Sequence, residues 1–170
     1  LDDAASWTVS EEGTPGNRII HQPQELRKLG LEGHVVASGS NVGQAAGEGV
    51  TWHALDVSDD ATIDNRVARR AVEIMRQSDG RGQPFFLAVG FRRPHLPWNA
   101  PKKYFDLYAP DALPGPKETE VRWREVPADQ TPLSPERHRQ TVAAYYAAIS
   151  FMDAQLGLLL DELDRSERWK

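Results

Sequence analysis

The 170-residue chain is long enough for one ordinary domain, and its 25 acidic residues outnumber the 20 basic ones, a formal net charge of −5 that gives no sign of the strongly basic face a nucleic-acid binder needs. It has no cysteine, which excludes disulfides, thiolate zinc sites and a cysteine nucleophile within it. Its longest apolar runs, residues 85–89 and residues 156–160 with Gly157 inside, fall short of the roughly 20 residues of a membrane span.

No basic-then-apolar leader opens the chain, an observation with no bearing on compartment. Residues 1–50 are rich in glycine (Gly13, Gly16, Gly30, Gly33, Gly39, Gly43, Gly47, Gly49) and poor in apolar periodicity, so they predict an irregular region with one short strand at Val35–Ala37. A structureless stretch of that length is unusual inside a compact domain, and implies packing against something outside the chain or mobility.

Ser58, Asp59 and Asp60 supply a cap and negative charge for a helix start. Ile63, Val67, Ala71, Ile74 and Met75 then share one face, with Arg66, Arg69, Arg70 and Arg76 outside it, which predicts a helix over 60–77 stopped by the Gly80–Gly82 segment. Pro84 opens the run Phe85-Phe86-Leu87-Ala88-Val89-Gly90-Phe91, which reads as a strand buried on both faces, as in a parallel sheet. Residues 58–91 thus form a helix–strand unit of an α/β fold.

Ten of the twelve prolines lie between Pro84 and Pro135, and residues 92–134 read as a stiff pocket loop with at most a short helix near Lys102–Tyr108. Its aromatic residues Trp98, Tyr104, Phe105, Tyr108 and Trp123 argue for order. The last predicted element is a helix over about 135–164, roughly 45 Å long. Ser134 caps it, Pro135 suits the first position and Glu136 complements the dipole. Val142, Tyr145, Ile149, Met152, Leu156, Leu159 and Leu163 follow at alternating spacings of 3 and 4, the spacing of a coiled-coil seam. Ala143, Ala144, Ala147, Ala148 and Phe151 widen the apolar surface, which suits a helix lying on a sheet. No internal repeat or low-complexity tract is present.

The motif richest in chemistry is Gly90-Phe91-Arg92-Arg93-Pro94-His95-Leu96-Pro97-Trp98, directly after the predicted strand. Ligands of α/β sheets bind beyond the carboxyl ends of strands. Pro94 and Pro97 restrict the backbone around His95, and Arg92, Arg93, Lys102 and Lys103 favour an anionic ligand. The bland alternative is a surface loop with an incidental histidine. His21, His34, His53 and His138 form no metal-binding spacing. Asp59-Asp60 is explained by capping and Asp2-Asp3 as a solvated end, although paired acids also bind calcium. Asp153 reads as solvated or paired with a nearby base, and Tyr145 and Tyr146 as packing. No Gly-x-Ser-x-Gly elbow appears, and Gly39-Ser40-Asn41-Val42-Gly43 lacks the lysine of a phosphate loop.

Two motifs in order carry a family resemblance. Residues 84–91, then Pro94-His95-Leu96-Pro97, Pro101-Lys102 and Tyr108, resemble the middle of the sulfatases, in their iduronate-2-sulfatase branch with its bacterial members. Residues 145–157, from Tyr145 to Gly157, with Leu160 and Leu163, resemble the helix that follows in that family, and residues 52–75 its preceding helix. The similarity covers about residues 50–165. It implies an alkaline-phosphatase-like α/β fold, of which this chain holds an incomplete sheet flanked by helices, and hydrolysis of sulfate esters of a sugar or polysaccharide. It also implies a formylglycine nucleophile made from a Cys/Ser-x-Pro-x-Arg motif, calcium held by acids, and a secreted, periplasmic or lysosome-like setting. The nearest string here, Leu133-Ser134-Pro135-Glu136-Arg137, has leucine at the nucleophile position and follows the histidine motif instead of preceding it.

Residues 1–170 therefore read as an internal portion of a sulfatase domain, inactive alone, with nucleophile and calcium ligands in the rest of the domain. The resemblance makes His95 the sulfate contact, with Arg93 and Trp98 as pocket neighbours. No catalytic or metal-binding residue is assigned within the chain, and neither nucleic acid nor membrane is expected as a partner. The rival readings are a noncatalytic binding module on the same scaffold and a related phosphoesterase or phosphonate hydrolase.

Overall fold

A computed structural model describes residues 22–40, 51–79, 84–115 and 134–166. Asp2, Asp3, His21, Trp123 and the part of the predicted pocket loop at residues 116–133 lie outside them.

The first element is helix α1, Gln22–Leu29. It ends in a tight closure: Gly30, at φ 69°, donates its N–H to the Arg27 carbonyl at 3.1 Å, and Leu31 donates to the Leu26 carbonyl at 2.8 Å. Only glycine takes that left-handed position without strain, and the closure brings Leu26 and Leu31 together. Both are buried in a cluster with Leu55. The irregular region expected over 1–50 therefore does not hold for residues 22–40. Strand β1 runs Val35–Ser40, longer than the Val35–Ala37 expected. The helix escaped notice because its octet QPQELRKL has only two apolar residues.

β1 pairs antiparallel with β2, Thr51–Leu55, in the register Val35↔Leu55 to Ser40↔Thr51 with an irregularity between Val35 and Ala37. Gly39 lies against the Trp52 indole, where a Cβ would come within 2.5 Å of the ring. β2 pairs parallel with β3, Trp98–Pro101, giving the order β1-β2-β3. A parallel pair needs a long crossover, and helix α2, Ile63–Asp79, lies in this one.

α2 starts later than the predicted residue 60. Asp59–Ala61 form a separate 3-10 turn, and the Thr62 hydroxyl caps α2 by accepting from the Asn65 N–H at 3.4 Å. Ser58 bonds Asp60 instead. The buried residues of α2 include Ala68, Ala71 and Met75, but also the polar Asp64 and Asn65.

The run Phe85–Phe91 departs most from expectation. It forms no regular strand, and no described strand pairs with it. Leu87, Val89 and Phe91 pack on Ala68, Ala71 and Leu159, whereas Phe86 is 80% exposed. The segment is partly buried on one face only, because alternate side chains of an extended chain point opposite ways and only one row meets the helices.

After β3 comes helix α3, Lys102–Phe105, shorter than the Lys102–Tyr108 expected. The last element is α4, Pro135–Arg165, begun as predicted: Ser134 Oγ accepts from the Arg137 N–H at 3.2 Å with Pro135 in the first turn. The face it buries is the widened one through Ala143, Ala144, Ala147, Ala148 and Phe151, as predicted for a helix lying on a sheet, and of the heptad seam it takes Leu159. Ala143, Ala144, Ala147, Ala148, Phe151, Gln155, Leu159 and Glu162 are buried, while Tyr145 and Leu156 are exposed. Small alanines let the helix approach its neighbours closely. It packs against α2, α3 and β3, and Gln155 accepts a buried hydrogen bond from Asn65 Nδ2 at 2.7 Å. By length and composition α4 alone among the described helices is apolar enough to cross a bilayer, a profile shared by core helices of soluble proteins.

One ion cluster fastens the far ends of α2 and α4. Glu162, 3% exposed, accepts from Arg76 Nε at 3.0 Å and Arg165 Nε at 2.9 Å. The Arg165 and then the Arg76 guanidiniums lower its carboxyl from the ordinary 4.5 to about 2. A depressed folded-state value contributes stability that is full above the ordinary glutamate range and is lost as pH falls through the folded value. The melting midpoint should therefore fall more for the native protein than for Glu162→Gln between pH 4.5 and pH 2. Parallel curves for the two would show that the cluster contributes nothing.

Candidate functional site

The loop 92–97 joins the extended segment to β3, and its backbone is tied on three sides. Asp64, in the first turn of α2, receives the Arg92 N–H on Oδ1 at 2.8 Å and the Arg93 N–H on Oδ2 at 3.0 Å. The Arg93 side chain turns inward and donates from Nε to the Asn99 carbonyl at 2.8 Å. The Trp98 indole donates from Nε1 to the Pro94 carbonyl at 2.8 Å. The Arg93-Pro94 and Leu96-Pro97 peptides are both cis.

His95 stands at the tip. Its N–H donates to the Arg92 carbonyl at 2.9 Å, closing a turn, and its side chain is exposed. Nδ1 lies 2.7 Å from the Leu96 carbonyl. A carbonyl only accepts, so Nδ1 carries hydrogen and Nε2 is left for a ligand. The ring thus reaches solvent in a defined orientation.

The other two predicted site residues are placed differently from each other. Arg93 is 5% exposed, with its guanidinium under the loop beside Asn99. Trp98 is half-buried and lies against Tyr145 with ring centroids 5.1 Å apart. The local positive field is smaller than the composition implied. Lys102 pairs with Asp106 at 2.5 Å, and Lys103 pairs with Asp59 at 2.9 Å while covering the Tyr104 ring. Tyr104 also donates to Asp59 at 2.6 Å, and burial, together with that carboxylate, pushes its phenol above the ordinary range.

Two residues of the site were missed by sequence reasoning. Asp64 showed no signal beyond an acid near a helix start. Asn99 bridges outward, its Oδ1 lying 2.7 Å from His53 Nδ1 on β2. His53, which shares no metal-binding spacing with the other histidines, has its ring engaged by Asn99. Asp153 is exposed, and Tyr146 packs on Tyr108. Among the described residues no three His, Asp, Glu or Cys side chains converge in a way that would hold a metal. Among the described residues, then, no group of ligands fits a calcium ion.

Comparison with known proteins bears on this loop. A family model described as "Sulfatase" matches residues 19–170. The chain is 32% identical over 142 residues, 76% of its length, to a protein named "Sulfatase" from Formosa agariphila, of which it covers 28%. It is 29% identical over 131 residues to human iduronate 2-sulfatase, covering 65% of this chain and 24% of that protein. It is 32% identical over 104 residues to an arylsulfatase of Clostridium perfringens, covering 56% of this chain and 21% of that protein. The chain spans about a quarter of the length of these relatives.

Proposed function

The chain belongs to the sulfatase family, and on that premise we propose that the whole protein hydrolyses sulfate esters of a sugar or polysaccharide, with His95 contacting the sulfate. The match across residues 19–170 carries the assignment. The likeness to iduronate 2-sulfatase supports a sulfated sugar as the substrate class.

His95 offers Nε2 from an exposed ring held by the Leu96 carbonyl. Because Nδ1 is already the donor to that carbonyl, a bond from Nε2 to a sulfate oxygen requires the doubly protonated ring, which also brings a positive charge to the anion. Arg93 acts from beneath, fixing the loop through Asn99. Trp98, anchored at Pro94 and flanked by Tyr145, supplies an apolar wall beside the histidine. The nucleophile and the calcium ligands belong, in this reading, to the remaining three quarters of a sulfatase domain, a length consistent with the coverage of the relatives. There a formylglycine would supply the attacking oxygen and calcium would polarise the sulfate.

The test is an assay of the whole protein on an aryl sulfate and an aryl phosphate. Faster sulfate hydrolysis is expected; faster phosphate hydrolysis would move the protein to the phosphoesterases, and turnover of neither would leave a binding module. Residues 1–170 expressed alone should turn over neither ester even with added calcium. Turnover by the isolated chain that disappears in His95→Ala would place the nucleophile inside it and overturn this division of labour.

A further inference from the structure

We propose that Asp64 is the positioning residue for His95: its carboxylate holds the loop so that the imidazole faces the sulfate. The inference rests on the reading of His95 as the sulfate contact.

Asp64 is 3% exposed and spends both oxygens on the backbone of the loop, on Arg92 at 2.8 Å and Arg93 at 3.0 Å. A buried carboxylate that accepts from two consecutive N–H groups holds two adjoining peptide units, and so fixes the direction of the backbone through Arg92 as well as its distance. The same Arg92 gives its carbonyl to the His95 N–H at 2.9 Å, so the residue held by Asp64 makes the turn that carries the imidazole. The ties from Arg93 to Asn99 and from Trp98 to Pro94 run within residues 93–99. Asp64 instead links the loop to α2, whose start is capped by Thr62 and whose first turn is held to α4 through Asn65 and Gln155. The placement of His95 is thereby referred to the helix pair that forms the core.

The chemistry of the site demands a carboxylate. Asparagine has one acceptor oxygen and one donor nitrogen, and would set its NH2 against a backbone N–H. Glutamate keeps both acceptors on a longer stem. Misplacement of a reacting group by about 1 Å can cost on the order of a hundredfold in rate.

The experiment is a cycle on the whole protein with an aryl sulfate, comparing Asp64→Asn, Asp64→Glu, His95→Ala and the double variant Asp64→Asn/His95→Ala, with melting midpoints recorded for each. Asp64→Asn should lower kcat/KM by about tenfold to a hundredfold, and Asp64→Glu should recover part of the loss. In the His95→Ala background Asp64→Asn should cost nothing further, since the group it positions is gone. A residue that only supports folding lowers the active fraction equally in both backgrounds. Losses that multiply, or an Asp64→Asn enzyme equal to the native one, therefore overturn the role of Asp64. If Asp64→Asn does not fold, the same cycle is run with Asp64→Glu. A His95→Ala enzyme with native rates would instead bring down the reading of His95, and this inference with it.

Discussion

His95→Ala in the whole protein is expected to lower kcat/KM for a sulfate ester by about a hundredfold or more, the loss seen when one donor to a developing oxyanion is removed. The size follows from the geometry. The imidazole is exposed, but its direction is not free: the turn to Arg92 sets the backbone and the Leu96 carbonyl engages Nδ1. A group so held has paid its orientational cost before substrate arrives, and its removal is felt in the transition state more than in binding alone. His95→Gln separates charge from hydrogen bonding. It offers a neutral donor of similar reach, so recovery above the alanine level would show that the hydrogen bond carries the effect. No recovery would assign it to the positive charge. A His95→Ala enzyme within a factor of two or so of the native rate, well inside a single decade of rate, would remove His95 from the site.

The parts visible in the sequence were those with local signatures. The cap and start of α4 could be read from Ser134-Pro135-Glu136, because capping uses adjacent residues. The Pro-His-Leu-Pro loop stood out for a similar reason. What escaped depended on contacts distant in sequence. The alanines and Phe151 of α4 could be read as its packing surface, but not their partners Ala100 and Tyr104, nor that Tyr145 and Leu156 would be left exposed. β3 reads Trp-Asn-Ala-Pro, which carries no strand signature, and is a strand because β2 pairs with it. Asp64 has no local signature, since its partners are 28 and 29 residues away. The run Phe85–Phe91 failed in the opposite sense. Its composition is that of a strand with neighbours on both sides, whereas the described residues cover one row of its side chains.

Phe151→Ala should cost about 3–5 kcal/mol of folding stability, the range for truncating a buried aromatic residue. Phe151 is 1% exposed and meets the Tyr104 ring edge-on at a centroid distance of 5.4 Å. It shares its cluster with Ala100 and Ala147, alanines too small to move into the space a lost ring would leave. The hole would lie directly beneath β3 and α3, the elements that follow the His95 loop. Phe151→Leu, which keeps most of the volume, should lose less than half as much, since a volume-preserving swap costs under about 1.5 kcal/mol. Urea denaturation of the whole protein, followed by tryptophan fluorescence, reads both variants against the native midpoint. A loss below about 1 kcal/mol for Phe151→Ala would mean that the helices close over the gap. The α4–β3 packing would then not be what holds the loop in place, which would rest on the bonds made by Asp64, Arg93 and Trp98.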